Sequence, residues 1–383
     1  MSAFIRRSRN VNVHLVLVDS ESDPFRQTIG VETLRKLLYP ILPRCSTLVY
    51  RAYFHFHHPF FPLPGKLKVL KTLVIEAVGG RRDRTYRTYS PIFDDHDPGC
   101  SLENLSLEVW WDKDNKTLGE SSTFASVRTL TWSFQYGYAV GQFRRVLSLM
   151  PRLRHLVVDM HFGGFLNNWD FNDIATQTPR EKCIIPSLIS VQVTFNASLG
   201  FFQFVNAPQL QHLCLSPSRS GETRQRIPCS WILNLHPSLT TFPSLKTIRI
   251  DMSTCSLKVM ERLLCNGTSL VMIEILSDNY VDLNIFLDIL SNSNTALPLL
   301  SFVRIMWTSR WSPSYPNREK IAKILMNSSE RKNVRIEFVR DPAQWIEDPY
   351  PASLAERIES VKGNVQTVEP LHMRYQRLYG SEA

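Results

Sequence analysis

The feature that most constrains this chain is a short apolar motif that recurs along most of its length. Each copy is an apolar residue, two others, a second apolar residue, one other and a third apolar residue, as in Leu70-x-x-Leu73-x-Ile75. A phased series fixes the architecture, because each copy must then sit in an equivalent turn of the chain. Clear copies begin, at spacings of roughly 22 to 35 residues, at Leu70, Leu102, Val127, Leu153, Leu188, Leu210, Leu245, Leu270 and Leu300, with weaker outer copies at Cys45 and Arg331.

The spacing within each copy indicates a β-strand with one buried face. Apolar residues alternate with others in the second half of the motif, and alternate residues of a strand lie on the same face. One short strand cannot bury that face alone, but stacked neighbours can, by forming a parallel sheet along one side of a superhelix. The period predicts an α/β fold: a right-handed solenoid of the leucine-rich-repeat type, with a parallel concave sheet and an irregular helical convex side.

The segments between copies are expected to return the chain through short helices. Apolar residues recur at helical spacing in four connectors, and several strands are closely preceded by proline, which ends a helix but tolerates a turn. The helical connectors are residues 140–150, 258–265, 284–290 and 318–326.

Three segments are predicted along the chain. Residues 1–44 form an N-terminal capping segment with a strand at 13–17 and an amphipathic helix at 31–42, which ends before Pro43. Residues 45–340 form the irregular solenoid, interrupted by polar stretches at 81–100 and 163–182. Residues 341–383 form a C-terminal cap or tail, because the last repeat of a solenoid needs its open edge covered.

Composition narrows the cellular setting. The 383 residues are 43% hydrophobic and carry a net charge of +9, which permits an anionic partner without requiring one. Seven cysteines without a C-x-x-C pair are typical of free thiols in a reducing compartment. The N-terminus lacks the apolar run of a signal peptide, and no apolar stretch is long enough to span a bilayer. A soluble cytoplasmic or nuclear protein is expected, with no membrane association.

The repeats resemble the repeat region of fungal F-box/leucine-rich-repeat proteins. The resemblance rests on Phe4-Ile-Arg-Arg-Ser8 followed by the strand at 13–17, on Pro151-Arg-Leu-Arg-His-Leu156 and on Pro243-Ser-Leu-Lys-Thr-Ile248. It implies that the chain selects targets for an SCF ubiquitin ligase. The helical F-box, usually marked by a Leu-Pro pair, is not present in these residues. Ligase subunits are therefore expected as partners only if an F-box lies upstream; otherwise the chain is a standalone repeat scaffold.

The repeat phase also identifies the residues on the solvent-facing side of the strands, which are the second, fourth and sixth after the first apolar residue. At the sixth position the residues are Glu76, Glu108, Ser133, Asp159, Thr194, Ser216, Asp251, Leu276, Met306 and Glu337. Half of them are acidic in a basic protein. This acidic stripe is either a solvated strand face or a groove for the basic segment of a protein partner. Arg249, Glu274 and Arg304, at the fourth position, would add polar contacts.

A competing surface is basic. The segment 79–90 contains Arg81, Arg82, Arg84 and Arg87 together with two tyrosines, a combination that can bind phosphates and stack on bases. The alternative is a solvated loop, so nucleic acid is the less favoured partner.

No cofactor, metal site or catalytic activity is predicted. His55, His57 and His58 lie close together, but no cysteine or carboxylate near them in sequence completes a zinc site. The chain has no nucleophile elbow, P-loop, dinucleotide fingerprint or H-E-x-x-H motif. Protein recognition without catalysis is the expected function.

Overall fold

The computed structural model describes the strands, their approach turns and parts of the connectors. By contacts, the chain divides into two compact units, Met1–Leu188 and Ile189–Ala383. The described residues are 12–18, 36, 38–52, 63, 67–77, 101–108, 122–135, 146–161, 183–194, 205–216, 242–251, 264, 268–277, 283, 286, 288, 290, 297–307 and 335–340.

The first unit contains six parallel strands that lie side by side in chain order. They are β1 (Val13–Val18), β2 (Cys45–Ala52), β3 (Thr72–Ala77), β4 (Asn104–Glu108), β5 (Thr129–Gln135) and β6 (His155–His161), followed by the two-residue strand β7 (Cys183–Ile184).

The second unit repeats this arrangement. Six of its strands are parallel neighbours in the order β8-β10-β11-β12-β13-β14. Their bounds, with the two-residue strand β9, are β8 (Ser190–Thr194), β9 (Val205–Asn206), β10 (His212–Ser216), β11 (Thr247–Asp251), β12 (Met272–Ser277), β13 (Phe302–Trp307) and β14 (Arg335–Arg340).

The register of these strands follows the sequence motif. Leu48, Leu73 and Leu105, the second apolar residues of successive copies, are paired across β2, β3 and β4 and are at most 1% exposed. The same holds in the second unit, where Ile248 pairs with Ile273 and Ile273 with Val303. Each motif residue therefore packs against its equivalents in the neighbouring repeats. The predicted leucine-rich-repeat fold with a parallel sheet is confirmed.

The connectors supply a second apolar layer against the motif core. Phe124, in the 3-10 helix Ser122–Ser126, is fully buried, and so is Phe286, in a helical connector. The predicted helices at 140–150, 258–265 and 284–290 are confirmed where they are described, at Val146–Ser148, at Leu264 and at three residues of 284–290. The predicted helix at 318–326 and the C-terminal segment 341–383 lie outside the described residues.

The N-terminal segment continues the sheet. β1 pairs with β2 in the parallel sense, with a register shift between Val13 and His14. Within the predicted helix at 31–42, Lys36 and Leu38 are helical, and the chain then passes through the 3-10 helix Leu42–Arg44 directly into β2.

A repeated hydrogen-bond pattern fixes each approach turn. In most copies, the residue after the first apolar position has a carbonyl that accepts two hydrogen bonds from the following repeat. The donors are the N–H groups of the first and second residues after that repeat's first apolar residue. For example, Lys71 O accepts from Glu103 N at 2.8 Å and from Asn104 N at 2.9 Å. Serine hydroxyls reinforce this pattern, since Ser187 Oγ donates to the carbonyls of Pro151 and Leu153 at 2.9 and 2.8 Å. Backbone groups at the turns are thereby satisfied between repeats.

Candidate partner-binding surface

The outer face of the sheet, opposite the motif core, consists of three ranks of residues. They are the second, fourth and sixth positions after the first apolar residue of each copy, and we call them the second, fourth and sixth ranks. Because neighbouring strands are parallel and in register, residues of one rank lie side by side about 4.8 Å apart. The charge and exposure of each rank depend on which side chains are neighbours on adjacent strands.

From β11 to β14, the fourth rank of the second unit is a ladder of alternating charge; on β8 and β10 the same rank holds the uncharged Gln192 and Cys214. Arg249 pairs in register with Glu274, Glu274 with Arg304, and Arg304 with Glu337. Arg304 Nη1 donates a hydrogen bond to Glu274 Oε1 at 2.8 Å, and the Arg304 guanidinium lies 5.3 Å from the centroid of the Phe302 ring. The ladder thus holds a hydrogen-bonded ion pair with an aromatic neighbour.

This ion pair is an internal part of the sheet. The side chains of Arg304 and Glu274 are only 9% and 10% exposed, whereas Arg249 is half-buried. The two residues predicted to add contacts to a partner therefore contact each other. Their signal was present in the sequence as opposite charges at the same motif position of successive copies.

The register corrects the phase of the last copy. The sequence motif predicts a copy that begins at Arg331, with Glu337 in the sixth rank. In the structure Ile336 pairs with Val303 and Phe338 with Ile305, so Glu337 belongs to the fourth rank and Val339 occupies the sixth. The motif was misread by two residues because Val334 and Ile336 are also apolar and correctly spaced.

The fourth rank of the first unit is uncharged. Val49, Val74 and Val157 are 2%, 4% and 4% exposed although they lie opposite the motif core. Ser106 and Thr131, which are register partners on β4 and β5, are half-buried. Val16 on β1, the register partner of Val49, is 55% exposed. From β2 to β6, access to this rank is greatest along β4 and β5.

The second rank is polar except at Met272 and Phe302, and hydrogen bonds join its residues across neighbouring strands at two places. Asn104 Nδ2 donates to Thr72 Oγ1 at 3.2 Å, and His212 Nδ1 lies 2.8 Å from Thr247 Oγ1. Burial lowers the pKa of His212, and the positive charge of Lys246 lowers it further. Both effects favour the neutral imidazole of His212 in the folded chain.

The sixth rank contains the predicted acidic stripe. On adjacent strands of the first unit, Glu108 pairs with Ser133 and Ser133 with Asp159, while Glu76 pairs with Arg51 of β2. In the second unit the rank begins with the paired Thr194 and Ser216. It continues on the next strands with Asp251, Leu276, Met306 and Val339. By position, the carboxylates are concentrated on the first unit.

Other predicted sites lie outside the described residues. They are the basic loop residues Arg81, Arg82, Arg84 and Arg87 and the histidines His55, His57 and His58. Over the described part of the chain, no group of three or more His, Cys, Asp or Glu side chains is arranged to hold a metal ion. No described helix is both long and apolar enough to cross a bilayer.

The comparisons with known proteins find similar solved structures. No protein-family model and no curated protein matches the chain. A crystal structure of a protein from Bacteroides fragilis is 11% identical, covering 87% of this chain and 76% of that one, with a TM-score of 0.36. The leucine-rich repeat-containing protein LegL7 from Legionella pneumophila is 12% identical, covering 85% of this chain and 99% of that one, with a TM-score of 0.36. A TLR13–ssRNA13 complex is 10% identical, covering 81% of this chain and 44% of that one, with a TM-score of 0.31.

Proposed function

We propose that this chain recognises a protein partner through the outer face of its sheet, and that it works in the cytoplasm or nucleus. The observation that carries the proposal is the register of β4, β5 and β6, which aligns Glu108, Ser133 and Asp159 in the sixth rank. The half-buried pair Ser106 and Thr131 lies two residues earlier on the same strands. By position in the sheet, these residues place polar and acidic residue types next to one another on adjacent repeats.

A basic, extended segment of a partner fits this strip best. Carboxylates spaced by whole strands attract a segment whose cations recur at a similar distance, and such complementarity increases the association rate and the specificity. Leucine-rich repeats provide extended surfaces of this kind, because every repeat contributes one strand to the same sheet.

Affinity capture tests the proposal. The full chain is used to isolate partners from the cells that express it, with mass spectrometry as the readout. The test variant carries Glu108→Lys, Asp159→Lys and Asp251→Lys together. We expect this variant to lose a partner that the unchanged chain retains, because three attractions become three repulsions. A partner set identical to that of the unchanged chain would contradict the proposal.

A neutralised variant is the matched control. Glu108→Gln, Asp159→Asn and Asp251→Asn keep the size of each side chain while removing its charge. If charge drives the interaction, the neutralised chain should retain an intermediate amount of partner. Equal losses in both variants would indicate a packing defect, which thermal unfolding of the two variants would reveal.

The more specific part of the proposal is target selection for an SCF ubiquitin ligase. It is supported by the sequence resemblance to F-box/leucine-rich-repeat proteins. Expression of the complete reading frame of the gene, followed by capture, tests it: ligase subunits should be isolated together with the target. Retention of the target without any ligase subunit would instead favour a standalone repeat scaffold.

A further inference from the structure

Exposed cations line the edge of the first unit at which the strands begin. Lys71, Arg128 and Arg154 each follow the first apolar residue of a copy, and all three are exposed. Lys68 and Arg152, on the turns just before Leu70 and Leu153, are exposed as well. We call Lys68, Lys71, Arg128, Arg152 and Arg154 the basic rim.

Hydrogen bonds between repeats hold the rim residues in line. Lys71 O accepts N–H groups from the next turn, Arg128 N donates to Glu103 O at 2.8 Å, and Arg154 N donates to Arg128 O at 2.8 Å. Neighbouring strands lie about 4.8 Å apart, so the backbone positions from Lys71 to Arg154 span about 14 Å over three strand spacings. The charged side chains therefore extend from approach turns whose backbone is held by hydrogen bonds between repeats.

The rim is only partly neutralised within the described part of the chain. Glu103 Oε1 lies 3.3 Å from Lys71 Nζ, and the two side chains remain 38% and 62% exposed. No described carboxylate is paired with Arg128, Arg152 or Arg154. Like charges in such a row repel one another, and an anionic ligand relieves that repulsion.

We propose that the basic rim binds an acidic segment of a protein partner. This inference rests on the proposed recognition function, and it adds a second contact of opposite charge to the sixth-rank carboxylates. In an extended peptide, residues on one side recur about every 6.7 Å, so a segment of about five residues spans the rim. Guanidinium groups suit such a ligand because they bind carboxylates in bidentate geometry.

The composition of the rim favours a protein ligand over nucleic acid. Sites for single-stranded nucleic acid combine cations with aromatic side chains on which bases stack. The described rim turns, at 67–71, 101–103, 127–128 and 151–154, contain no Phe, Tyr or Trp. Charge without stacking surface matches a carboxylate-rich peptide.

Fluorescence anisotropy with a labelled acidic peptide tests the inference. The probe is a fluorescein-labelled peptide of alternating Glu and Gly, about 12 residues long and so longer than the rim. The double variant Arg128→Gln/Arg154→Gln should bind it about fivefold more weakly or worse, because two exposed charge contacts are lost. Lys246→Gln is the matched control, since Lys246 occupies the same motif position in the second unit and is also exposed. It should change binding less than twofold.

Two results would overturn the inference. One is equal affinity of the double variant and the unchanged chain for the acidic peptide. The other is tighter binding of an oligothymidine of similar length that is lost in the same double variant, which would reassign the rim to nucleic acid. The variant that carries Glu108→Lys, Asp159→Lys and Asp251→Lys should still bind the acidic peptide. A wrong assignment of the basic rim and a wrong assignment of the outer face therefore give different results. Equal melting temperatures of the variants show that folding is unaffected.

Discussion

Arg304 on β13 and Glu274 on β12 form a hydrogen-bonded ion pair of 2.8 Å whose side chains are about nine-tenths buried. They occupy the same motif position in successive repeats, and the pair links adjacent strands through their side chains as well as their backbones. The outer face of the sheet is therefore partly occupied by an internal contact.

Breaking this pair should destabilise the chain strongly. Glu274→Ala removes the carboxylate that is hydrogen-bonded to the buried Arg304 guanidinium, and we expect a loss of about 3 kcal/mol in the free energy of unfolding. Urea denaturation measures it. Arg249→Ala, at the neighbouring half-buried position of the same rank, is the control and should cost less than about 1 kcal/mol. A cost for Glu274→Ala as small as the control's would show that the pair contributes little.

Two adjacent leucines should differ sharply in their contribution to stability. Leu300 is the first apolar residue of its copy and is 6% exposed, whereas Leu299 beside it is 57% exposed. We expect Leu300→Ala to reduce the free energy of unfolding by about 3 kcal/mol, because it removes buried methyl groups and leaves a cavity. Leu299→Ala should change it by less than about 0.5 kcal/mol. Similar values for the two would contradict the assigned repeat phase.

His212 should make stability depend on pH in the mildly acidic range. Burial lowers its folded pKa below the ordinary value of 6.5, with a further contribution from Lys246. The unfolded chain therefore binds a proton that the folded chain resists, so this stabilisation is complete above pH 6.5 and is lost as the pH falls through the folded pKa. Denaturation at several pH values measures it.

His212→Gln provides the comparison, because glutamine has a similar reach and does not titrate. The difference in stability between the unchanged chain and this variant should decrease as the pH falls below 6.5. A difference that stays constant across this range would show that His212 is not the titrating group.

Cys45 should be chemically inert in the folded protein. Burial raises the pKa of its thiol to about 11, and the hydrogen bonds with Thr47 and Leu15 only partly offset this effect. The thiolate is the reactive form, so iodoacetamide near neutral pH should modify Cys45 far more slowly than the half-buried Cys183 and Cys214. Peptide mapping by mass spectrometry measures the three rates, and early modification of Cys45 would contradict its burial.

The repeat motif predicted most of the fold because the same physical requirement acts on every copy. Leu48, Leu73 and Leu105 must meet in one core, and their common phase is visible without any structure. The predicted position of Glu337 within its repeat is wrong, because Val334 and Ile336 have the spacing of the motif two residues before its true position. Only the pairing of Ile336 with Val303 separates the two alternatives.

The surface was less predictable because it depends on contacts between strands. Glu274 and Arg304 were each identified as polar residues of the outer face, but a linear motif does not say that they face each other and are buried. The basic rim lies outside the alternating strand positions, because its residues are on the approach turns. Lys71, Arg128 and Arg154 nevertheless share one motif position, so the signal was present.

Site-specific photo-crosslinking tests most directly whether the outer face binds the partner. A benzoylphenylalanine is placed at Thr131, half-buried in the fourth rank of β5, or at Ala125, exposed in the 3-10 helix of the connector layer. After irradiation with the captured partner, crosslinking from position 131 and none from position 125 is the predicted result. Crosslinking from position 125 with none from position 131 would place the partner on the connector layer and contradict the proposed recognition face.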